Sequence, residues 1–133
     1  MPSQELGDRS WKLGILAAAL IVVDQISKNF VPENLIVKNS GLPFAIKLPG
    51  FFNLAAVVIL LLLFLILYFY FFRHAGFGFV FITAGTVSNL ADRIYFGYVR
   101  DFINVGIATM NLADIMIWLG IILLLKKHAS QSL

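Results

Sequence analysis

The chain has 133 residues, of which 60% are hydrophobic and 13% charged, and its mean hydropathy of +0.91 excludes a water-soluble globule. A bilayer core about 30 Å thick needs about 20 mostly apolar residues per spanning helix, so a chain of this length holds four spans and short loops in one compact domain. The net charge of +3 reads as basic ends touching anionic headgroups rather than as a nucleic-acid surface, because no basic stripe carries interleaved aromatics. The absence of cysteine excludes a thiol nucleophile, a disulfide and a thiolate metal site.

Residues 1–10 are polar and are expected as a loose interfacial tail. A first span follows from about Trp11 to Phe30, anchored by Trp11 and Lys12. It leads into Asp24-Gln25-Ile26-Ser27-Lys28 with no small-residue cleavage site, so the expectation is a retained span rather than a secretory signal. Pro32 and the stretch Asn39-Ser40-Gly41-Leu42-Pro43-Phe44 break helical continuation and predict a loop with a short extended piece, ending near Pro49-Gly50. Residues Leu48 to Phe72 are uncharged and predict a second span, closed by Arg73-His74. A third span is predicted from Gly76 to Tyr95, with small residues in its second half for close helix packing. The fourth runs from Asn111 to Leu125, with Lys126 and Lys127 at the interface and 129–133 as a tail. The predicted fold is an all-α membrane protein, a four-helix transmembrane bundle with a small extended element between helices one and two. Both termini then lie on one side. Arg9, Lys12, Arg73, Lys126 and Lys127 are on that side, against Lys28, Lys38, Lys47, Arg93 and Arg100 opposite, a tie in the positive-inside count. Acids interspersed among the second set favour cytoplasmic termini, since those cations then serve a site.

Helical rise places the polar residues at a common level. Asp24 lies twelve residues beyond Lys12 and Asp114 twelve before Lys126, so each sits roughly 18 Å from the terminal-side interface. Asn89 and Asp92 come out about 24 to 28 Å from Arg73, in the same outer half. Residues three and four apart share a helix face, which groups Asp24 with Ser27 and Lys28, Asn89 with Asp92 and Arg93, and Asn111 with Asp114. Ionisable groups at membrane depth cost a few kcal/mol each and point into a bundle or wet cavity.

Each group has a plainer reading. Asp24 and Lys28 make an i, i+4 ion pair, Asn111 with Asp114 reads as an N-cap and capping box, and Arg93 reads as a partner for an acid. These explain pairs singly but not acids from several segments at one level. His74 and His128 lie at the terminal side, away from the cluster, and give a metal or Ser-His site little support. Ser27 and Lys28 point about 100° apart on a helix, which disfavours a dyad. Ser88, in Gly85-Thr86-Val87-Ser88, has no evident base.

The ordered motifs Asp24-Gln25-x-Ser27-Lys28, Asn39-x-Gly41 with Phe44, Asn89-Leu90-x-Asp92-Arg93, Gly97-x-Val99-x-Asp101-Phe102-Ile103 and Asn111-Leu112-Ala113-Asp114 resemble lipoprotein signal peptidase, also called signal peptidase II. The resemblance covers nearly the whole chain after residue 10. It implies an aspartic peptidase of the bacterial cytoplasmic (inner) membrane, its site towards the outer face. Such an enzyme cleaves just before a diacylglyceryl-modified cysteine of a prolipoprotein and is inhibited by globomycin. Carried over by motif position, Asp101 and Asp114 are the catalytic dyad. Asn89, Asp92, Arg93 and Asn111 support it, and Asp24, Lys28 and Asn39 line the pocket. No metal or organic cofactor is implied, and the partners are lipid-modified prolipoproteins and membrane lipid, with the chain a monomer. The sequence leaves open which of the two is the base; the helix N-terminus at Asp114 favours its charged form and tilts the assignment towards it. The chain departs from the family pattern at Ser88, where glycine is usual, at Pro43, at Arg100, where an apolar residue is common, and in the short segment Phe102 to Met110. The alternative class is a non-catalytic membrane protein, either a proton or ion pathway through Asp24, Asp92 and Asp114 or a binder of lipoprotein precursors.

Overall fold

The computed structural model describes residues 3–41, 50–71 and 76–132. In chain order these form α1 (Ser3–Phe30), a single 3-10 turn (Glu33–Leu35), β1 (Val37–Asn39), α2 (Gly50–Phe71), α3 (Phe77–Phe96), β2 (Val99–Asp101), β3 (Ile103–Asn104), β4 (Thr109–Met110) and α4 (Leu112–Gln131). Four helices thus fall where the apolar runs predict them. The expectations for Leu42-Pro43-Phe44, Lys47, Pro49, Phe72 and Arg73-His74 lie outside the described residues.

Two sequence-based boundaries and the all-α class need correction. Helix α1 begins at Ser3, so residues 3–10, expected as a loose tail, continue the first helix. Helix α4 runs on through Lys126 and Lys127 to Gln131, because nothing in Lys126-Lys127-His128-Ala129 breaks a helix and basic groups suit a helix C-terminus. The fold is also not purely helical, since two short antiparallel ribbons form. In the first, β1 pairs with β2, Val37 opposite Asp101, Lys38 opposite Arg100 and Asn39 opposite Val99. In the second, β3 pairs with β4 as a hairpin. Strands of two or three residues carry no readable alternation, and the pairing of β1 with β2 spans about sixty residues of sequence.

Helix α3 is central, packing on α1, α2 and α4. Its contact with α4 uses small residues on both sides. A Cβ at Gly85 would collide with the Ala113 carbonyl, and one at Gly120 would lie 2.6 Å from both the Gly78 carbonyl oxygen and Ile82 Cγ1. The two backbones approach closely because these positions carry no side chain, as small-residue stripes allow between helices in lipid. Gly97, with φ of 78°, ends α3 in the left-handed conformation and donates its N–H to the Arg93 carbonyl, turning the chain into β2.

The distribution of polarity is inverted relative to a protein in water. The largest fully buried side chains are Lys28, Asn111, Asp24, Asp92, Asp101 and Ser88, whereas Ile15, Val22, Ile59, Leu62, Ile66, Trp118 and Ile122 are exposed. Lipid is the solvent in which an apolar exterior costs nothing and a polar interior must satisfy itself. Among the described residues one helix segment, Arg9–Phe30, is long and apolar enough to cross a membrane, and Phe51–Ile66 is a shorter apolar segment.

The helix contact generates a prediction. Gly85→Leu or Gly120→Leu should destabilise the purified protein by about 1–3 kcal/mol through overpacking. Thermal unfolding in detergent measures this, and an unchanged melting temperature for both variants would contradict the close approach.

Candidate active site

The site is built where the end of α1, the second half of α3, β1, β2 and the start of α4 meet. Lys28 stands at its base. Its Nζ lies 2.7 Å from Asp24 Oδ2, 3.1 Å from Asp92 Oδ2 and 3.1 Å from Asn89 Oδ1, so the three ammonium protons have three acceptors from two helices. The predicted i, i+4 pair is present, but it is one arm of a larger network. Asp24 takes its other partners from α3 and α4: Ser88 donates its hydroxyl to Oδ2 at 2.6 Å, and the Ala113 backbone N–H donates to Oδ1 at 2.8 Å. A carboxylate on the free N–H groups of a helix start is stabilised by both hydrogen bond and dipole. The level predicted from helical rise for Asp24 and Asp114 is thus the level at which α1 meets the start of α4.

Asp92 is held from three directions. Gln25 donates to Oδ1 at 3.0 Å, the Arg100 backbone N–H donates to Oδ2 at 3.0 Å, and the Arg100 guanidinium approaches Oδ1 at 2.9 Å. Ser27 does not join the cluster, because its hydroxyl donates to the Asp24 carbonyl of its own helix. Arg93 reaches the Gly41 carbonyl at 2.9 Å and the Asn89 carbonyl at 3.4 Å, fastening the chain after β1 to α3 instead of pairing an acid directly.

Asp101 and Asp114 come together through Asn111. The Asn111 side-chain nitrogen donates to Asp101 Oδ1 at 2.8 Å, and its backbone nitrogen donates to Asp114 Oδ2 at 3.0 Å. The second bond belongs to a complete capping box, in which the Asn111 side chain also accepts from the Asp114 N–H. The plainer reading of Asn111 and Asp114 therefore holds, and the same geometry carries the acid to Asp101. The remaining oxygens are also met by amides, Asn39 donating to Asp101 Oδ2 at 3.0 Å and Asn89 to Asp114 Oδ1 at 2.9 Å. Asn39 reaches Asp101 because the ribbon register puts the two on one face, two residues apart along the diagonal.

Four carboxylates, Asp24, Asp92, Asp101 and Asp114, share this layer with three cations, Lys28, Arg93 and Arg100. A single proton makes the set neutral. Burial pushes the Asp101 carboxyl up to about 6, helped by the charge of Asp114 and opposed by the hydrogen bonds from Asn39 and Asn111 and by Lys28. Burial therefore favours the protonated form of Asp101. Among the described residues no group of three or more His, Cys, Asp or Glu side chains is arranged to hold a metal ion. The positions between Asp24 and Asp92 are filled by Lys28.

The structure brings together all nine residues singled out in the sequence. It also adds Gln25, Ser88, Asn29 and Arg100, which carry hydrogen bonds in the cluster. The contacts of Ser88 and Arg100 with α1, from Gln25 to Ser88 and from Arg100 to Gln25 and Asn29, join residues more than sixty positions apart, beyond what spacing can read.

The chain matches the family described as signal peptidase (SPase) II over residues 16–129. A lipoprotein signal peptidase of Caldicellulosiruptor bescii is 35% identical over 129 residues, 83% of this chain and 85% of that protein. One from Buchnera aphidicola subsp. Acyrthosiphon pisum is 46% identical over 54 residues, 37% of this chain and 34% of that protein, so the matched stretch spans about a third of that relative. A solved structure titled a bacterial membrane enzyme superposes with a TM-score of 0.72 at 22% identity, covering 91% of this chain and 89% of that one.

Two outcomes follow from the geometry. Removing the buried cation in Lys28→Met leaves Asp24 and Asp92 short of a partner and should cost about 3–5 kcal/mol, read as loss of folded protein in detergent. Asp101 takes up a proton on folding, its carboxyl rising from 3.8 to about 6. Its contribution to stability is full below about pH 4 and lost as pH rises through about 6, about 3 kcal/mol in all. The melting temperature of Asp101→Asn, which stays neutral, should therefore gain on the wild type between pH 4 and pH 7.5; a difference independent of pH would argue against a protonated Asp101.

Proposed function

Because the chain belongs to the signal peptidase II family, we propose that it is a membrane aspartic endopeptidase that removes signal peptides from diacylglyceryl-modified prolipoproteins, with Asp101 and Asp114 as its catalytic pair. The observation that carries this reading is the double donation from Asn111, which holds the two carboxyls to one residue although they come from different elements. Asn39 and Asn89 fix the outer oxygens and so orient both groups.

In the proposed reaction a water sits between the carboxyls. Charged Asp114 accepts one of its protons as the oxygen attacks the scissile carbonyl carbon, while protonated Asp101 donates its proton to the carbonyl oxygen. A tetrahedral gem-diol results. Asp114 then gives its proton to the leaving amide nitrogen, Asp101 takes one back from a hydroxyl, the C–N bond breaks, and the pair again holds a single proton. Such paired acid and base action supplies about 10²–10⁴-fold of rate. No metal or organic cofactor enters the scheme.

In this reading the four helices are four spans of a single domain in the bacterial inner membrane, with cytoplasmic termini and the site towards the outer face. The buried pairing of Lys28 and Arg100 supports that orientation. Neither cation is then available to the positive-inside count, and the tie in charge resolves towards Arg9, Lys12, Arg73, Lys126 and Lys127.

Asp101→Asn and Asp114→Asn should each lower cleavage of a diacylglyceryl-modified precursor by at least about 10³-fold while the protein still inserts. Globomycin should inhibit the wild type. Normal processing by either variant refutes the pair. Lipopeptide binding by the wild type without product would instead identify a precursor-binding protein.

A further inference from the structure

Successive residues of a strand point to opposite faces, so β2 turns Asp101 towards Asn39 and Asn111 and Arg100 the other way, into the angle between α1 and α3. There the guanidinium is almost fully occupied. Nη1 donates to Asn29 Oδ1 at 2.6 Å; Nη2 donates to Gln25 Oε1 at 2.8 Å and to Asp92 Oδ1 at 2.9 Å; Nε lies 3.4 Å from Asp92 Oδ2. The Phe96 ring, its centroid 4.4 Å from Cζ, covers the planar face. The backbone of the same residue is also held, its N–H on Asp92 Oδ2 and its carbonyl on the Asn111 amide at 3.4 Å.

Among the described residues no other side chain of β2 reaches both α1 and α3 by hydrogen bonds. Its one strand partner, β1, is three residues long, and β2 itself is three residues long. A ladder so short has little rigidity of its own, and a carboxyl misplaced by about 1 Å costs about 10²-fold in rate. The geometry points to Arg100 as a positioning residue: by clamping β2 to α1 and α3 it holds Asp101 at its working distance from Asp114. The planar fork is what allows one side chain to reach two helices at once, which an ammonium cannot reproduce. Arg100 touches neither carboxyl of the pair and has no direct part in the chemistry. The inference rests on the peptidase reading above.

The test compares wild type, Arg100→Met, Arg100→Lys and Asn29→Ala in the precursor cleavage assay, with kcat and KM separated and the melting temperature in detergent recorded for each. Asn29 is exposed on α1, so Asn29→Ala removes one arm of the clamp without opening the buried cluster. The expected result is a fall in kcat of about 10–100-fold for Arg100→Met and about 3–10-fold for Asn29→Ala, with KM within about twofold of wild type. Arg100→Lys should regain only part of the kcat lost in Arg100→Met. If Arg100→Met does not fold, Asn29→Ala and Arg100→Lys decide. Folded variants whose kcat stays within twofold of wild type would overturn the clamp, as would a loss confined to KM. A wild type without cleavage would refute the peptidase reading itself, an outcome separate from either of these.

Discussion

The ammonium of Lys28 between Asp24 and Asp92 is the contact on which the polar layer depends. An unpaired charge in a low-dielectric interior costs several kcal/mol, and here one cation answers two acids and the amide of Asn89. Each of those partners reaches further. Asp24 holds the first turn of α4 through the Ala113 N–H, Asp92 holds β2 through Arg100, and Asn89 holds Asp114. The two acids of the proposed catalytic pair are not bonded to Lys28, yet every element that carries them is tied to it within two steps. The apolar exterior makes this network obligatory, because no water is available on the lipid side to satisfy a stray donor or acceptor.

Polarity in this chain separates into two jobs. Asp24, Lys28, Asp92, Ser88, Gln25 and Arg100 satisfy one another and so lock helices and one strand. Asp101 and Asp114 are held by amides alone, from Asn39, Asn89 and Asn111. Neutral amide donors orient a carboxyl and favour its charged form less strongly than a close cation does. In the proposed reading that difference sets Asp101 apart from Asp24 and Asp92, and burial raises its carboxyl to about 6.

Much of this was legible in the sequence. The apolar runs marked four helices, and the rise from Lys12 and Lys126 put Asp24 and Asp114 at one level, where α1 and α4 are joined by the Ala113 bond. The capping box at Asn111 could be read from spacing alone. The β1–β2 ribbon could not, since three-residue strands carry no periodic signal and their partners lie far apart in the chain. Without the ribbon, Asn39 has no visible route to Asp101, and Arg100 looks like an ill-placed charge. The three protons of Lys28 go to Asp24, Asp92 and Asn89, a set of partners on two helices of which helix spacing shows only the i, i+4 member Asp24. The facing rule grouped Ser27 with Asp24 because it sees only the helix surface; a hydroxyl can fold back onto its own backbone, and this one does.

The central claim is that the carboxyls of positions 101 and 114 act on one substrate bond. An experimental structure of the protein with a non-cleavable diacylglyceryl lipopeptide tests it most directly. Both carboxyls are expected within hydrogen-bond reach of the scissile group or of one water beside it. A bound lipopeptide whose scissile group lies beyond reach of either carboxyl, or two carboxyls too far apart to share a water, would contradict it.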